Sequence, residues 1–140
     1  MSRTAVDTNV LSAILKAEPN YLRLIDLLER ARVNGPLLVS AVVYAELLAT
    51  PPHTPAFVQE FLRATGVELD EELPLAVWEA AGLAFQGYTV RRRASGGGVP
   101  RRILADFLVG AHARARADQL VTLDPGHYRL AFPSLPLVTP

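Results

Sequence analysis

The chain has 140 residues, half of them hydrophobic and a fifth charged, and it contains no cysteine. A chain of this size buries roughly two-thirds of its unfolded surface, so residues 1–140 are expected to form one domain rather than a disordered tail or a low-complexity scaffold. No stretch approaches the ~20 apolar residues of a membrane span and MSRTAVD lacks the pattern of a signal peptide, so a soluble, cytoplasmic protein is expected. The absence of cysteine excludes a disulfide framework, a thiolate metal site and a cysteine nucleophile.

Fourteen basic residues balance fourteen acidic ones, but unevenly along the chain. Residues 1–90 hold six basic against eleven acidic side chains, and residues 91–140 hold eight against three. An acidic cluster beside a basic surface suits a polyanion bridged by metal. Thirteen of the basic residues are arginine; that bias matches phosphate recognition, but GC-rich coding produces it without any function.

In chain order, Thr4-Ala5-Val6 reads as a short strand ending at Asp7, and Asp7-Thr8-Asn9 can cap a helix starting near Val10. Pro19 opens a second helix carrying Leu22, Ile25, Leu28 and Ala31 at helical spacing, and Gly35-Pro36 ends it. Leu37-Leu38-Val39 is a buried strand, and Ser40 caps a helix over about 41–49. Thr54-Pro55 starts another helix reaching about Thr65; Val67-Glu68-Leu69 is a third strand; a helix runs from Pro74 towards Tyr88. The segment Arg91 to Arg102 is expected to be a loop, because three glycines and a proline interrupt it. A helix over about 103–117, a strand Leu120–Leu123, a turn at Asp124-Pro125-Gly126 and a last strand Leu137-Val138 follow. Strands alternating with helices predict a three-layer α/β/α sandwich with a mainly parallel sheet.

Four acids are hard to explain as surface charge. Asp7 and Asp124 follow apolar strands directly, which points both into the crevice beyond the carboxyl ends of a parallel sheet. Glu46 is the only charge in AVVYAELLAT, a segment apolar on all sides and hence expected to be buried, where an unpaired carboxylate costs several kcal/mol. Asp106 sits in the first turn of its helix beside the stripe Ile103, Phe107, Leu108 and Ala111. Each acid has a plainer reading: a cap for Asp7, a dipole partner for Asp106, a turn for Asp124, a buried hydrogen-bonded acid for Glu46. Four unpaired carboxylates on one sheet edge repel strongly unless a divalent cation neutralises them, and an all-oxygen site suits Mg²⁺ or Mn²⁺.

VDTNVL, SAVVYAEL, ADFLVGAHA and LVTLDPGHY, in that order and spanning nearly the whole chain, resemble the PIN domain, and among its members the VapC-like ribonuclease toxins of toxin–antitoxin pairs. The resemblance implies a Mg²⁺- or Mn²⁺-dependent endoribonuclease that leaves a 5′-phosphate and a 3′-hydroxyl. It carries the four acidic positions of the family onto Asp7, Glu46, Asp106 and Asp124, with Asp7, Asp106 and Asp124 holding the metal and Glu46 binding its water and serving as general base. Thr8, Asn9, Ser40 and Thr122 fall where such proteins place supporting hydroxyl and amide groups. The resemblance further implies a homodimer and a small antitoxin partner. Here the loop 91–102 is longer and richer in glycine than the family pattern, and the last acid is followed by Pro-Gly-His-Tyr.

Arg91, Arg92, Arg93, Arg101 and Arg102 bracket Gly96-Gly97-Gly98 and read either as a basic clamp on the RNA backbone or as a solvated loop. His53, His112 and His127 show no metal-ligand spacing; His112 is expected to be structural and His127 to lie on a surface turn. Trp78, Phe85 and Tyr88 predict a packed helix face or a dimer contact. Asp118 precedes its strand and reads as a turn residue at the opposite sheet edge. Two other readings remain: a non-catalytic domain of the same fold binding RNA or protein, and a haloacid dehalogenase-like phosphatase, which needs a second acid where Asn9 stands.

Overall fold

The structure, a computed structural model, describes residues 1–140. Five strands, β1 (Thr4–Val6), β2 (Leu37–Ser40), β3 (Val67–Asp70), β4 (Gln119–Val121) and β5 (Leu137–Val138), form one parallel sheet in the order β3-β2-β1-β4-β5. Seven helices flank it: α1 (Thr8–Leu15), α2 (Tyr21–Val33), α3 (Ala41–Leu48), α4 (Pro55–Thr65), α5 (Leu75–Ala94), α6 (Leu104–Arg116) and α7 (Pro125–Ala131). Every residue of β1 and β2 is buried, as strands covered on both faces must be. No helix is long and apolar enough to cross a membrane.

The chain steps outward from β1 to β2 to β3, then returns through α5 and α6 to add β4 and β5 on the other side of β1. The direction of winding therefore reverses between β1 and β4, and a crevice opens beyond the strand ends at that point. Pairing of Val6 with Val121 sets the register there, so Asp7 and Thr122 emerge side by side.

Local chemistry accounts for most helix ends. Ser40 Oγ accepts from Val43 N to start α3, and Thr54 Oγ1 accepts from Phe57 N, with Pro55 as the first residue of α4. Gly110 has a packing role: a Cβ there collides with the ring of Phe132, so α6 lies directly against the residue that follows α7.

The structure departs from the sequence reading in several places. Arg91–Ala94 are helical rather than loop, because α5 continues until Gly96 takes a φ of 76°; arginine is a good helix former, and the last turn places Arg91, Arg92 and Arg93 at the negative end of the dipole. Pro125-Gly126 opens α7 instead of a turn, with proline in the first helical turn. The second helix starts at Tyr21, after Asn20 in a left-handed conformation, not at Pro19. Helix α3 is not buried on all sides: Ala45 is exposed and Glu46 half-buried. Ile103 is 63% exposed although Phe107, Leu108 and Ala111 of the same stripe are buried, because it lies one residue ahead of α6.

Phe85 and Tyr88 pack on Phe107 with ring centroids 4.7 and 5.6 Å away, whereas Trp78 stays 44% exposed and donates its indole N–H to Leu73 O. Asp118 accepts from Arg3 N at the start of β1. His112 is buried in α6, its Nε2 2.9 Å from Asp70 Oδ2, and Arg116 Nε donates to the same oxygen at 3.0 Å.

Burial alone raises the Asp70 pKa, but the hydrogen bonds from Arg116 and His112 overcome this and bring it down to about 2, from 3.8. A carboxylate depressed in the folded state stabilises the fold above its unfolded pKa and loses that contribution as pH falls towards the folded value. Urea melts of the wild type and Asp70→Asn are therefore expected to differ by a constant amount above about pH 7, where His112, its pKa lowered by burial, is neutral in both proteins, and the carboxylate's contribution is expected to be lost between pH 4 and pH 2.

Candidate active site

Asp7 ends the central strand and is 7% exposed. Its Oδ1 accepts from Thr8 N at 2.8 Å, capping α1. Its Oδ2 accepts from Thr122 Oγ1 at 2.8 Å and from Tyr128 Oη at 2.9 Å. Asp7 is therefore the cap of α1, and the same carboxylate is also held from beyond β4 and from α7. Burial pushes the Asp7 pKa up, the three hydrogen bonds pull against it, and the charge of Asp124 adds to the rise. The Tyr128 hydroxyl is pushed far up by burial and by the Asp7 charge, so it stays a proton donor.

Glu46 projects from α3, where its Oε1 accepts from Thr8 Oγ1 at 2.7 Å. Burial raises its pKa against that hydrogen bond, with the charges of Asp7 and Asp106 reinforcing the rise. Asp106 closes the first turn of α6 by accepting from Ile103 N through Oδ2 at 2.9 Å. Asp124 accepts from Arg102 through Oδ2 at 2.6 Å. The Arg102 pKa is lowered by partial burial but raised more by Asp124, so the guanidinium stays charged. The expectation of four unpaired carboxylates thus needs one correction: Asp124 already has a cation, supplied by Arg102 two residues ahead of α6.

All four acids line one cavity of about 310 Å³, together with Thr8, Asn9, Ser12, Arg102, Val109, His127 and Tyr128. Thr122 reaches it only through Asp7, and Asn9 Oδ1 accepts from Leu123 N, tying α1 to the end of β4. Ser40 is 1% exposed, caps α3 and does not line the cavity. Of the five arginines singled out in the sequence only Arg102 faces it; Arg92 Nε donates to Val99 O and stiffens the loop, and Arg91, Arg93 and Arg101 are exposed.

Of two further lining residues, the sequence reading gave Tyr128 no role and placed His127 on a surface turn. Tyr128 is the residue that hydrogen-bonds Asp7 from α7, and recognising Asp-Pro as a helix start places it one turn beyond Asp124. His127 lies not on a surface turn but at 8% exposure, its Nε2 3.1 Å from Asp106 O and its ring edge-on to Phe107.

No three acidic or histidine side chains converge closely enough to share one ion as they stand. Arg102 holds Asp124, and the Ile103 N–H holds one oxygen of Asp106. The lining nevertheless has the chemistry of a hard-cation site, since four carboxylates and hydroxyl oxygens face the cavity and no thiolate is present. Tyr128→Phe is expected to lower stability by about 1 kcal/mol with an unchanged denaturant slope, because Asp7 keeps two other donors.

The PIN domain profile matches residues 4–133. Among solved structures, the chain resembles FitAcB from Neisseria gonorrhoeae (TM-score 0.62, 20% identity, covering 96% of this chain and 95% of that one). It also resembles VapBC2 from Rickettsia felis bound to a DNA fragment from their promoter (TM-score 0.59, 21% identity, 98% of each chain). VapBC-1 from nontypeable Haemophilus influenzae is similar too (TM-score 0.58, 18% identity, 98% of this chain and 97% of that one). At these identities the likeness establishes a shared fold. No curated protein matches the sequence significantly. With the profile covering nearly the whole length, and with the acids of VDTNVL, SAVVYAEL, ADFLVGAHA and LVTLDPGHY gathered on one cavity, this chain belongs to the PIN domain family.

Proposed function

We propose that this protein is a Mg²⁺- or Mn²⁺-dependent endoribonuclease that hydrolyses RNA phosphodiester bonds, and that it is the toxin component of a VapBC-type toxin–antitoxin pair. The observation that carries the reading is the convergence of Asp7, Glu46, Asp106 and Asp124 on one cavity at the switch point of a PIN sheet. Structural neighbours drawn from VapBC and FitAB complexes support the toxin assignment and a small antitoxin partner. A homodimer and a cytoplasmic setting complete the proposal.

Asp7, Asp106 and Asp124 are the residues to hold the ion, with Glu46 at the far wall. A divalent ion in such a site acidifies water and stabilises the oxygens of a phosphodiester in displacement. The chain's own residues prepare for this. Thr8, Thr122 and Tyr128 fix the Asp7 carboxylate in one orientation before any ligand arrives. Glu46, held at Oε1 by Thr8 and with its pKa raised, can take a proton from the attacking water. Arg102 leaves Asp124 for the substrate phosphate, exchanging one anionic oxygen for another. As the water oxygen bonds to phosphorus the P–O3′ bond breaks and a proton from solvent passes to O3′, so that the products are a 5′-phosphate and a 3′-hydroxyl.

RNA cleavage is expected in Mg²⁺ or Mn²⁺, to vanish in EDTA, and to fall at least a hundredfold in Asp7→Asn and Glu46→Gln while both variants keep the far-UV spectrum of the wild type. Undiminished cleavage in either variant refutes the assignment. Arg91, Arg93 and Arg101 are exposed and carry the basic charge that we propose meets the RNA backbone. Replacing the three with alanine is expected to flatten the plot of log affinity against log salt by up to about two units for single-stranded RNA, at ~0.7 per phosphate contact.

A further inference from the structure

We infer that a second cavity, next to the acidic cleft, is a nucleobase subsite that takes the base of a nucleotide flanking the cleaved bond, with His53 meeting the base edge and Lys16 the adjoining phosphate. This subsite rests on the ribonuclease reading. The cavity measures about 270 Å³ and is lined by Thr8, Ser12, Leu15, Lys16, Glu46, Leu47, Thr50 and His53. Three of these, Thr8, Ser12 and Glu46, also line the acidic cleft, so the two spaces share one wall. The second cavity therefore adjoins the space in which a phosphate would lie.

The walls favour a neutral, hydrogen-bonding ring over an anion. Glu46 faces the cavity and repels a phosphate placed deep inside, whereas Ser12 and Thr50 offer hydroxyls that both donate and accept, and Thr8, its proton given to Glu46, offers lone pairs. The volume lies below the roughly 300–1,000 Å³ of sites for drug-sized ligands, which suits one base rather than a whole nucleotide.

His53 is the residue with orientation built in. Its Nδ1 lies 2.9 Å from Leu47 O, a carbonyl that can only accept, so Nδ1 carries the proton and Nε2 of the neutral ring is an acceptor. An acceptor fixed in this way pairs with an exocyclic amino group or a ring N–H of a base. The imidazole also leans on Phe57 with centroids 4.8 Å apart, and Phe57 is 46% exposed at the start of α4. That pair offers an aromatic surface of the kind on which single-stranded bases stack. Lys16, the chain's only lysine, follows the end of α1, is exposed and takes part in no ion pair. It is placed to meet the backbone of a strand whose base enters the cavity.

The test uses the full chain and a fluorescein-labelled single-stranded RNA of mixed sequence. Affinity is read by anisotropy in EDTA, and KM, kcat and the distribution of cleavage sites are read in Mn²⁺. His53→Ala and Lys16→Gln are each expected to weaken binding and raise KM about tenfold, the scale of one lost base or phosphate contact, with kcat changing far less. His53→Ala is also expected to redistribute the cleavage sites, and Lys16→Gln to leave them in place. Lys16 is exposed, so its variant tests the proposal even if the His53 variant fails to fold. Cleavage by both folded variants with wild-type KM and wild-type sites overturns the subsite and leaves the nuclease standing. A wild type that neither binds nor cleaves RNA overturns the nuclease reading, and the subsite with it.

Discussion

The site is built around one buried carboxylate at the end of the central strand. Asp7 sits where water is scarce, and a charge there is tolerated only because three donors meet it: the first amide of α1, the hydroxyl of Thr122 beyond β4 and the phenol of Tyr128 in α7. Those donors come from three separate parts of the chain. The pairing of β1 with β4 brings two of them together, and the docking of α7 brings the third. The same contacts that make the charge bearable hold its orientation, so the fold and the site share one set of constraints.

Around Asp7 the protein accumulates negative charge that it does not fully neutralise. The pKa values of Asp7 and Glu46 are both raised, first by burial and then by neighbouring acids. Groups whose folded pKa is raised favour the fold below their unfolded pKa and lose that contribution as pH rises through the folded value. The cleft is therefore a place where stability is given up at neutral pH, as functional sites commonly require. Arg102 relieves part of the strain at Asp124, and it comes from the end of the Gly-rich segment rather than from a packed element. A cation held from a loop is one that a metal ion and a phosphate can exchange without disturbing the sheet.

Much of this was legible before any coordinates. An acid closing an apolar run, twice, marks the edge of the sheet at which the carboxylates gather, and Glu46 is conspicuous as the single charge in its helix. The strand and cap positions of β1, β2 and α3 follow from short-range rules, which is why they agree closely with the structure. Pairings distant in sequence were not legible. Nothing local connects Arg102 to Asp124, Tyr128 to Asp7 or Asp70 to His112, since each depends on how helices pack across the sheet. Arginines 91–93 were misread as loop because the glycines after them dominated the pattern, although arginine itself favours helix. His127 looked like a turn residue only because the helix that buries it begins with Pro-Gly.

The most direct test of the account is anomalous diffraction from a crystal of the protein soaked in Mn²⁺. The account predicts an anomalous peak in the cleft bounded by the carboxylates of Asp7, Asp106 and Asp124, with Arg102 turned away from Asp124. A cleft without a peak at saturating Mn²⁺, or a peak elsewhere while Arg102 still holds Asp124, contradicts it.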